Sequence, residues 1–202
     1  MFDHSDVEVH TKERVYDGFF KMEKLVVSHA RFAGGTVKVT RELFQRDDAV
    51  CVLLYDAPRD RVVLVEQFRI GALEHPRSPW LLELVAGIVE QGETEEAVAR
   101  REAQEEAGAE LGEIVPITRY LVSPGGANEY ISLLCAQVDS EGMGGVFGLE
   151  SEGEDIKVHV LACEQVFAMV KDGQIDNAAS IIALQWLQLN RSDLKQRWQN
   201  SI

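Results

Sequence analysis

Hydrophobic and polar positions alternate through residues 1 to 46, as in Val7-Glu8-Val9 and Thr36-Val37-Lys38-Val39-Thr40, with breaks at Asp17-Gly18 and Gly34-Gly35. A period of two places successive side chains on opposite faces of a strand, so this stretch predicts short strands and hairpins. At Ala49 the alternation gives way to a continuous apolar run to Tyr55, a turn at Pro58-Arg59-Asp60, and a second run from Arg61 to Gln67. Two such runs joined by a turn predict two central strands. A loop with Pro76 and Pro79 leads to another predicted strand, Trp80 to Ala86, and Gly87 and Gly92 flank a short loop. Between Thr94 and Gly108 the period changes to that of a helix, with Thr94 as N-cap, two glutamates in the first turn and Gly108 as the stop. Further strands are predicted at 117–123, 129–138 and 156–162, a glycine-rich acidic loop at 139–155, and helices at 163–171, 178–189 and 191–199. Strands, one helix, strands, then helices is the order of an α+β or mixed-sheet sandwich rather than a doubly wound fold.

Composition narrows the class. With 202 residues, 46% apolar and 27% charged, the chain suits one domain with a small appended subdomain. Against 20 Lys and Arg stand 34 Asp and Glu, a formal net charge of −14, which works against a nucleic-acid grip or an anionic membrane surface. An anionic small substrate would need a metal ion or a local arginine cluster to overcome that field. No apolar run approaches the ~20 residues of a membrane helix, and the acidic, polar start MFDHSDVEVH does not resemble a secretory leader. Three cysteines, Cys51, Cys135 and Cys163, lack C-x-x-C spacing. Cys51 and Cys135, within apolar runs, read as small buried hydrophobes of a reducing cytoplasm.

Chemistry concentrates on the helix. Ala99, Ala103 and Ala107 form one stripe, small enough to let the backbone lie against a sheet. Beside it, Glu102, Glu105 and Glu106 share a face at i, i+3, i+4, where like charges repel by about 0.2–0.5 kcal/mol a pair. Such a face is either solvated or neutralised by a hard divalent cation such as Mg2+, and the helix alone fits both. Other constellations lack their context. Gly142-Met143-Gly144-Gly145 has no following Lys-Ser/Thr, the five histidines have no zinc spacing, and no G-x-S-x-G elbow exists.

Gly87, five residues, Glu93, seven residues, then Arg101-Glu102-Ala103-Gln104-Glu105-Glu106-Ala107-Gly108-Ala109 reproduces the signature of the Nudix hydrolases. Its two bulky-apolar positions are both alanine here, Ala103 and Ala109, a difference of packing rather than of ligand chemistry. Pro124, inside Ser123-Pro124-Gly125-Gly126, resembles the downstream proline of the ADP-ribose pyrophosphatase branch. Gly18-Phe19-Phe20, Glu66-Gln67-Phe68-Arg69, WLLELVAG and IDNAAS-IIALQWL also resemble bacterial members of it.

The resemblance implies a Nudix fold for 47–202, with an N-terminal antiparallel β subdomain at 1–46 exchanged across a homodimer. It implies Glu102 and Glu106 as metal ligands, Glu105 supporting or sharing them, and the Ala86 carbonyl as another, with Gly87, Glu93, Arg101 and Gly108 shaping the box. In the acidic loop it implies Glu152 as base and Glu154 as a further ligand. It implies substrate contacts from Phe19, Phe20, Arg41, Glu42, Arg46, Arg69, Ile88, Ser123, Gly125 and Glu129, Phe19 being offered across the dimer. The expected reaction is hydrolysis of ADP-ribose to AMP and ribose 5-phosphate, with about two or three Mg2+ ions, or Mn2+ in their place, polarising the diphosphate and acidifying the attacking water. Another nucleoside-diphosphate sugar, such as GDP-mannose, is the close alternative. A non-catalytic nucleotide-sensing Nudix module is the more distant one.

Overall fold

A computed structural model describes residues 1–198. The chain divides into two compact units, Met1–Asp48 with Tyr120–Tyr130, and Ala49–Arg119 with the chain from Ile131 onward.

In the first unit, β1 (Val7–Asp17), β2 (Lys21–Ala30) and β3 (Thr36–Gln45) form an antiparallel sheet in that order. Alternation sets its register, Val27 standing opposite Val9 and Val39, and left-handed Gly34 and Gly35 make the second turn. Irregularities between Val9 and Thr11 and between Arg14 and Tyr16 bend β1, every residue of which is exposed. The segment 120–130, which spans the end of one predicted strand, the connection at 124–128 and the start of the next, joins this unit: the Phe44 N–H donates to the Gly126 carbonyl at 2.8 Å.

The second unit is built on β4 (Ala49–Asp56), β5 (Arg61–Phe68), β6 (Trp80–Glu83), β7 (Val85–Ile88), β8 (Ile114–Leu121), β9 (Tyr130–Gln137), β10 (Gly145–Phe147) and β11 (Ile156–Ala162), with α1 (Glu95–Ala107), α2 (Cys163–Lys171) and α3 (Ala178–Trp198). The strand order is β10-β11-β5-β4-β9-β8, with β6 paired to β5 and β7 to β4. β4 runs antiparallel to β5 and parallel to β9, so the sheet is mixed, and the fold is α+β as the sequence predicts. Both faces of β4 are buried, which explains its unbroken apolar run. Val50, Val52 and Leu54 pack with Val98, Ala99 and Ala103 of α1. Tyr55, on the other face, lies 6.2 Å from the Trp198 ring of α3.

Three local expectations change. The strand foreseen at Trp80–Ala86 is two, because the chain leaves β5 for β4 at buried Leu84, and Gly87, expected to flank a loop, lies within β7 with Ile88 after it. Three residues of the glycine-rich loop form β10. The two helices foreseen at 178–189 and 191–199 are one, since Ala183, Leu184, Leu187, Leu194 and Trp198 keep a single buried stripe and the Asn190 amide is used inside the helix, donating to the Trp186 carbonyl at 2.8 Å. Residue 199, the last of that expected helix, lies outside the described residues. No described helix is long and apolar enough to cross a membrane.

Candidate active site

The local sequence fixes α1 at both ends. Thr94 Oγ1 accepts from the Ala97 N–H at 3.2 Å, and Gly108, left-handed at φ 60°, ends the helix with its N–H on the Gln104 carbonyl. The alanine stripe lies flat on the sheet, and this turns Glu106 inward: it is 3% exposed and accepts from the Ala86 N–H at 3.1 Å. Glu102 meets β7 across Gly87, where a Cβ would stand 2.0 Å from Glu102 Oε1. The signature glycine is therefore the space that the carboxylate occupies.

Arg101 gathers the remaining acids. Its guanidinium donates to Glu102 at 2.7 Å, to Glu105 at 3.3 Å and to both oxygens of Glu93 at 3.3 Å, while Glu93 also accepts from the Glu90 N–H. Those bonds hold Glu93 below the usual carboxylate range. Burial pushes Glu102 up, opposed by Arg101. Burial also raises Glu106 to about 8, and the negative charges of Glu102 and Glu154 add to the rise. Among the described residues, no group of three His, Cys, Asp or Glu side chains is already drawn together as a metal cage. Arg101 offsets part of the negative charge of the face instead. The donor set fits a hard divalent cation nonetheless: a buried carboxyl with no ion-pair partner among the described residues, a second held beside it, and more carboxylate oxygen within reach of one helix turn.

The acidic loop is anchored at its base. Fully buried Asp56 accepts from the Ser140 N–H at 2.9 Å and from the Arg59 N–H at 3.0 Å, and Arg59 reaches Asp139 at 2.7 Å. Further on, Phe147 covers Gly108 and the Gly148 N–H reaches the Glu105 carbonyl at 3.4 Å. Glu154 accepts from the Leu149 N–H at 3.0 Å, and its charge bears on Glu102 and Glu106. The loop that carries Glu154 is thus tied to α1 through Gly148. Glu152 is exposed, in a single 3-10 turn between left-handed Gly148 and Gly153.

On the same face of the sheet, Arg69 donates to Glu83 at 2.6 Å, and its charge opposes the rise at Glu106. Glu83 is missed by the sequence reading, although a lone acid inside the apolar run WLLELVA is a visible signal. Neighbouring Gln67 is buried, and its Nε2 has no partner among the described residues. Ile88 is exposed at the end of β7.

The first unit assembles a separate group. Phe20 packs edge-on against Phe44 at 5.0 Å, the Arg46 guanidinium lies 5.0 Å from the Phe20 ring, and Arg46 pairs with Glu129 at 3.0 Å. Burial raises the Glu129 carboxyl, with Arg46 opposing. Phe19 is 85% exposed at the hairpin tip. Arg41 and Glu42 lie outside this contact group, on β3 opposite Leu25 and Lys24, and the Arg41 guanidinium donates to its neighbour's carbonyl at 2.8 Å. The Ser123 carbonyl closes the turn by accepting from Gly126 and Ala127, and Gly125 is exposed within it.

The family model described as NUDIX domain matches residues 45–198. The chain is 47% identical over 198 residues to an ADP-ribose pyrophosphatase of Escherichia coli (strain K12), covering 98% of this chain and 95% of that protein. Identity is also 47% over 204 residues to an ADP-ribose pyrophosphatase of Haemophilus influenzae (strain Rd), covering 99% and 94%. A GDP-mannose pyrophosphatase of Escherichia coli (strain UTI89) is 32% identical over 176 residues, covering 86% and 91%. A solved structure titled as an ADP compounds hydrolase shares the fold, with a TM-score of 0.72 at 18% identity and both chains fully covered. A signature glycine shaped to a helix glutamate and a family match running from β3 to the end of α3 agree: the chain belongs to the Nudix family.

Proposed function

We propose that this Nudix hydrolase cleaves the diphosphate bond of ADP-ribose, releasing AMP and ribose 5-phosphate. The observation that carries the reading is the face of α1, where Glu106 is buried beside Glu102 and Arg101 pairs with the acids around it. The 47% identity to two ADP-ribose pyrophosphatases names the substrate.

Glu102 and Glu106 hold the cation, with Glu105, Glu154 and the Ala86 carbonyl completing the ligands. Mg2+ would be the working ion and Mn2+ a substitute, about two or three ions in number, which when bound would supply charge neutralisation for the diphosphate and a lowered pKa for water. Arg101 and Glu93 keep the carboxylates oriented when the ion leaves. Glu152, on its glycine-flanked turn, swings in as the base and takes the water's proton. Arg69 binds a diphosphate oxygen. Within the first unit, Phe20, Arg46 and Glu129 are the candidate base and ribose contacts, with Phe19, Arg41, Glu42, Ser123 and Gly125 as further candidates there, and Ile88 is the candidate contact within the second unit.

The protein works as a homodimer in which residues 1–46 cross to the partner, and the exposure of every β1 residue supports this. Buried cysteines without C-x-x-C spacing suit a reducing cytoplasm, and the charge of −14 works against nucleic acid and anionic membranes as partners. A second reading, cleavage of GDP-mannose, is favoured by the 32% relative of that name. A purely sensing module is disfavoured by the intact Glu102, Glu105 and Glu106.

The deciding experiment is a turnover screen of ADP-ribose, GDP-mannose, UDP-glucose and dinucleotides with Mg2+, products identified. Preference for ADP-ribose with AMP as product is expected. Preference for GDP-mannose installs the second reading, and binding without turnover of any of them removes both.

A further inference from the structure

The run Ile175-Asp176-Asn177-Ala178-Ala179-Ser180 takes no part in the chemistry above, yet the Asn177 side chain reaches the strand that carries Glu83 and the Asp176 side chain reaches the loop before it. Asn177 immediately precedes α3, and its amide is used at both ends. Its Oδ1 accepts from the Ser180 N–H at 3.1 Å, capping the helix, while its Nδ2 donates to the Leu82 carbonyl of β6 at 2.7 Å. The next residue of that strand is Glu83, which holds Arg69 at 2.6 Å.

The loop from Arg69 to β6 is tied to the same turn. His75 and the Asp176 carboxylate lie 2.6 Å apart, and Arg77 donates to the carbonyls of Asp172 and Gly173. The Arg69 N–H closes the loop on the Pro79 carbonyl at 2.8 Å. Arg69 is 43% exposed at its side chain, with one carboxylate partner, Glu83, among the described residues. A half-exposed arginine keeps one orientation only if the strand under its partner is fixed.

We propose that Asn177 is a positioning residue for Arg69, acting through the Leu82 carbonyl and Glu83, with the Asp176–His75 contact holding the loop between them. The inference rests on the reading of Arg69 as a diphosphate ligand.

Asn177→Asp separates this role from helix capping, because the carboxylate still caps α3 whereas the donor to Leu82 is gone. The test is a cycle of wild type, Asn177→Asp, Arg69→Ala and the double variant, with kcat and KM for ADP-ribose and a thermal midpoint for each. Asn177→Asp is expected to lower kcat/KM about tenfold with its midpoint held within about 2 °C, and to cost nothing further in the Arg69→Ala background. Losses that multiply in the double variant, or an unchanged kcat/KM in Asn177→Asp, overturn the proposal. If wild type leaves ADP-ribose intact, the functional reading fails by itself, and the same cycle is read by calorimetric binding of inorganic pyrophosphate. There, weaker binding in both single variants and no added loss in the double supports the proposal. Wild type that does not bind pyrophosphate overturns it.

Discussion

Glu106→Gln tests the metal face on two axes that move in opposite directions. The Glu106 carboxyl is 3% exposed, and burial lifts it from the usual 4.5 to about 8. Between those pH values the folded chain keeps a proton that the unfolded chain has lost, so ligand-free stability falls as pH rises through the window. At pH 7 the loss amounts to about 3 kcal/mol. Glutamine has the same shape, still accepts from the Ala86 N–H, and carries no such pH dependence. Its extra buried donor gives back about 1 kcal/mol, so the ligand-free variant should melt about 4–8 °C above wild type at pH 7 and lose the slope between pH 5 and 8. Activity should go the other way. A neutral amide is a poor ligand for a hard cation, and several kcal/mol of lost charge stabilisation lowers turnover about a thousandfold. Calorimetric melts across pH, with and without Mg2+, and ADP-ribose turnover at saturating Mg2+ read both axes. Mg2+ should stabilise wild type and leave the variant unmoved. Turnover within tenfold of wild type, or a lowered midpoint with the pH slope intact, would refute the assignment of Glu106 as an ionic ligand forced into burial.

Glu152→Gln should lower kcat far more than it raises KM, as expected of a base engaged in the transition state, and Glu154→Gln should weaken Mg2+ activation; kcat within about threefold in both would leave the loop a solvated tether. Gly87→Ala puts a Cβ 2.0 Å from Glu102 Oε1 and should raise the Mg2+ concentration for half-activation at least about tenfold, read by titrating activity with the metal; an unchanged titration would show that Glu102 yields freely. Sedimentation should give a particle of twice 22.6 kDa, and Phe19→Ala should raise KM for ADP-ribose with the dimer intact; a fully active monomer would return Phe19 to its own chain.

The helix and its chemistry were legible in the sequence because they are local. Thr94, Gly108, the alanine stripe and the three glutamates lie within one helical segment, where a period of 3.6 residues fixes which side chains share a face. The alternation before Asp48 and the apolar runs after it likewise identified strands, since side-chain direction in a strand depends only on parity. Tertiary structure decided what parity and period cannot reach. Glu106 differs from Glu105 by one position, yet of the two it alone is buried, because the sheet lies on that side of the helix. The sequence marks Gly87 as a loop flank and a signature position without showing what it meets; contact with Glu102 across β7 makes it the space for a ligand. The break at Leu84 follows from a change of neighbouring strand, and the single α3 from one continuous buried stripe. Glu83, Asp56 and Asn177 gain their partners across sequence separations of 14, 84 and 95 residues, and no local periodicity encodes contacts of that range.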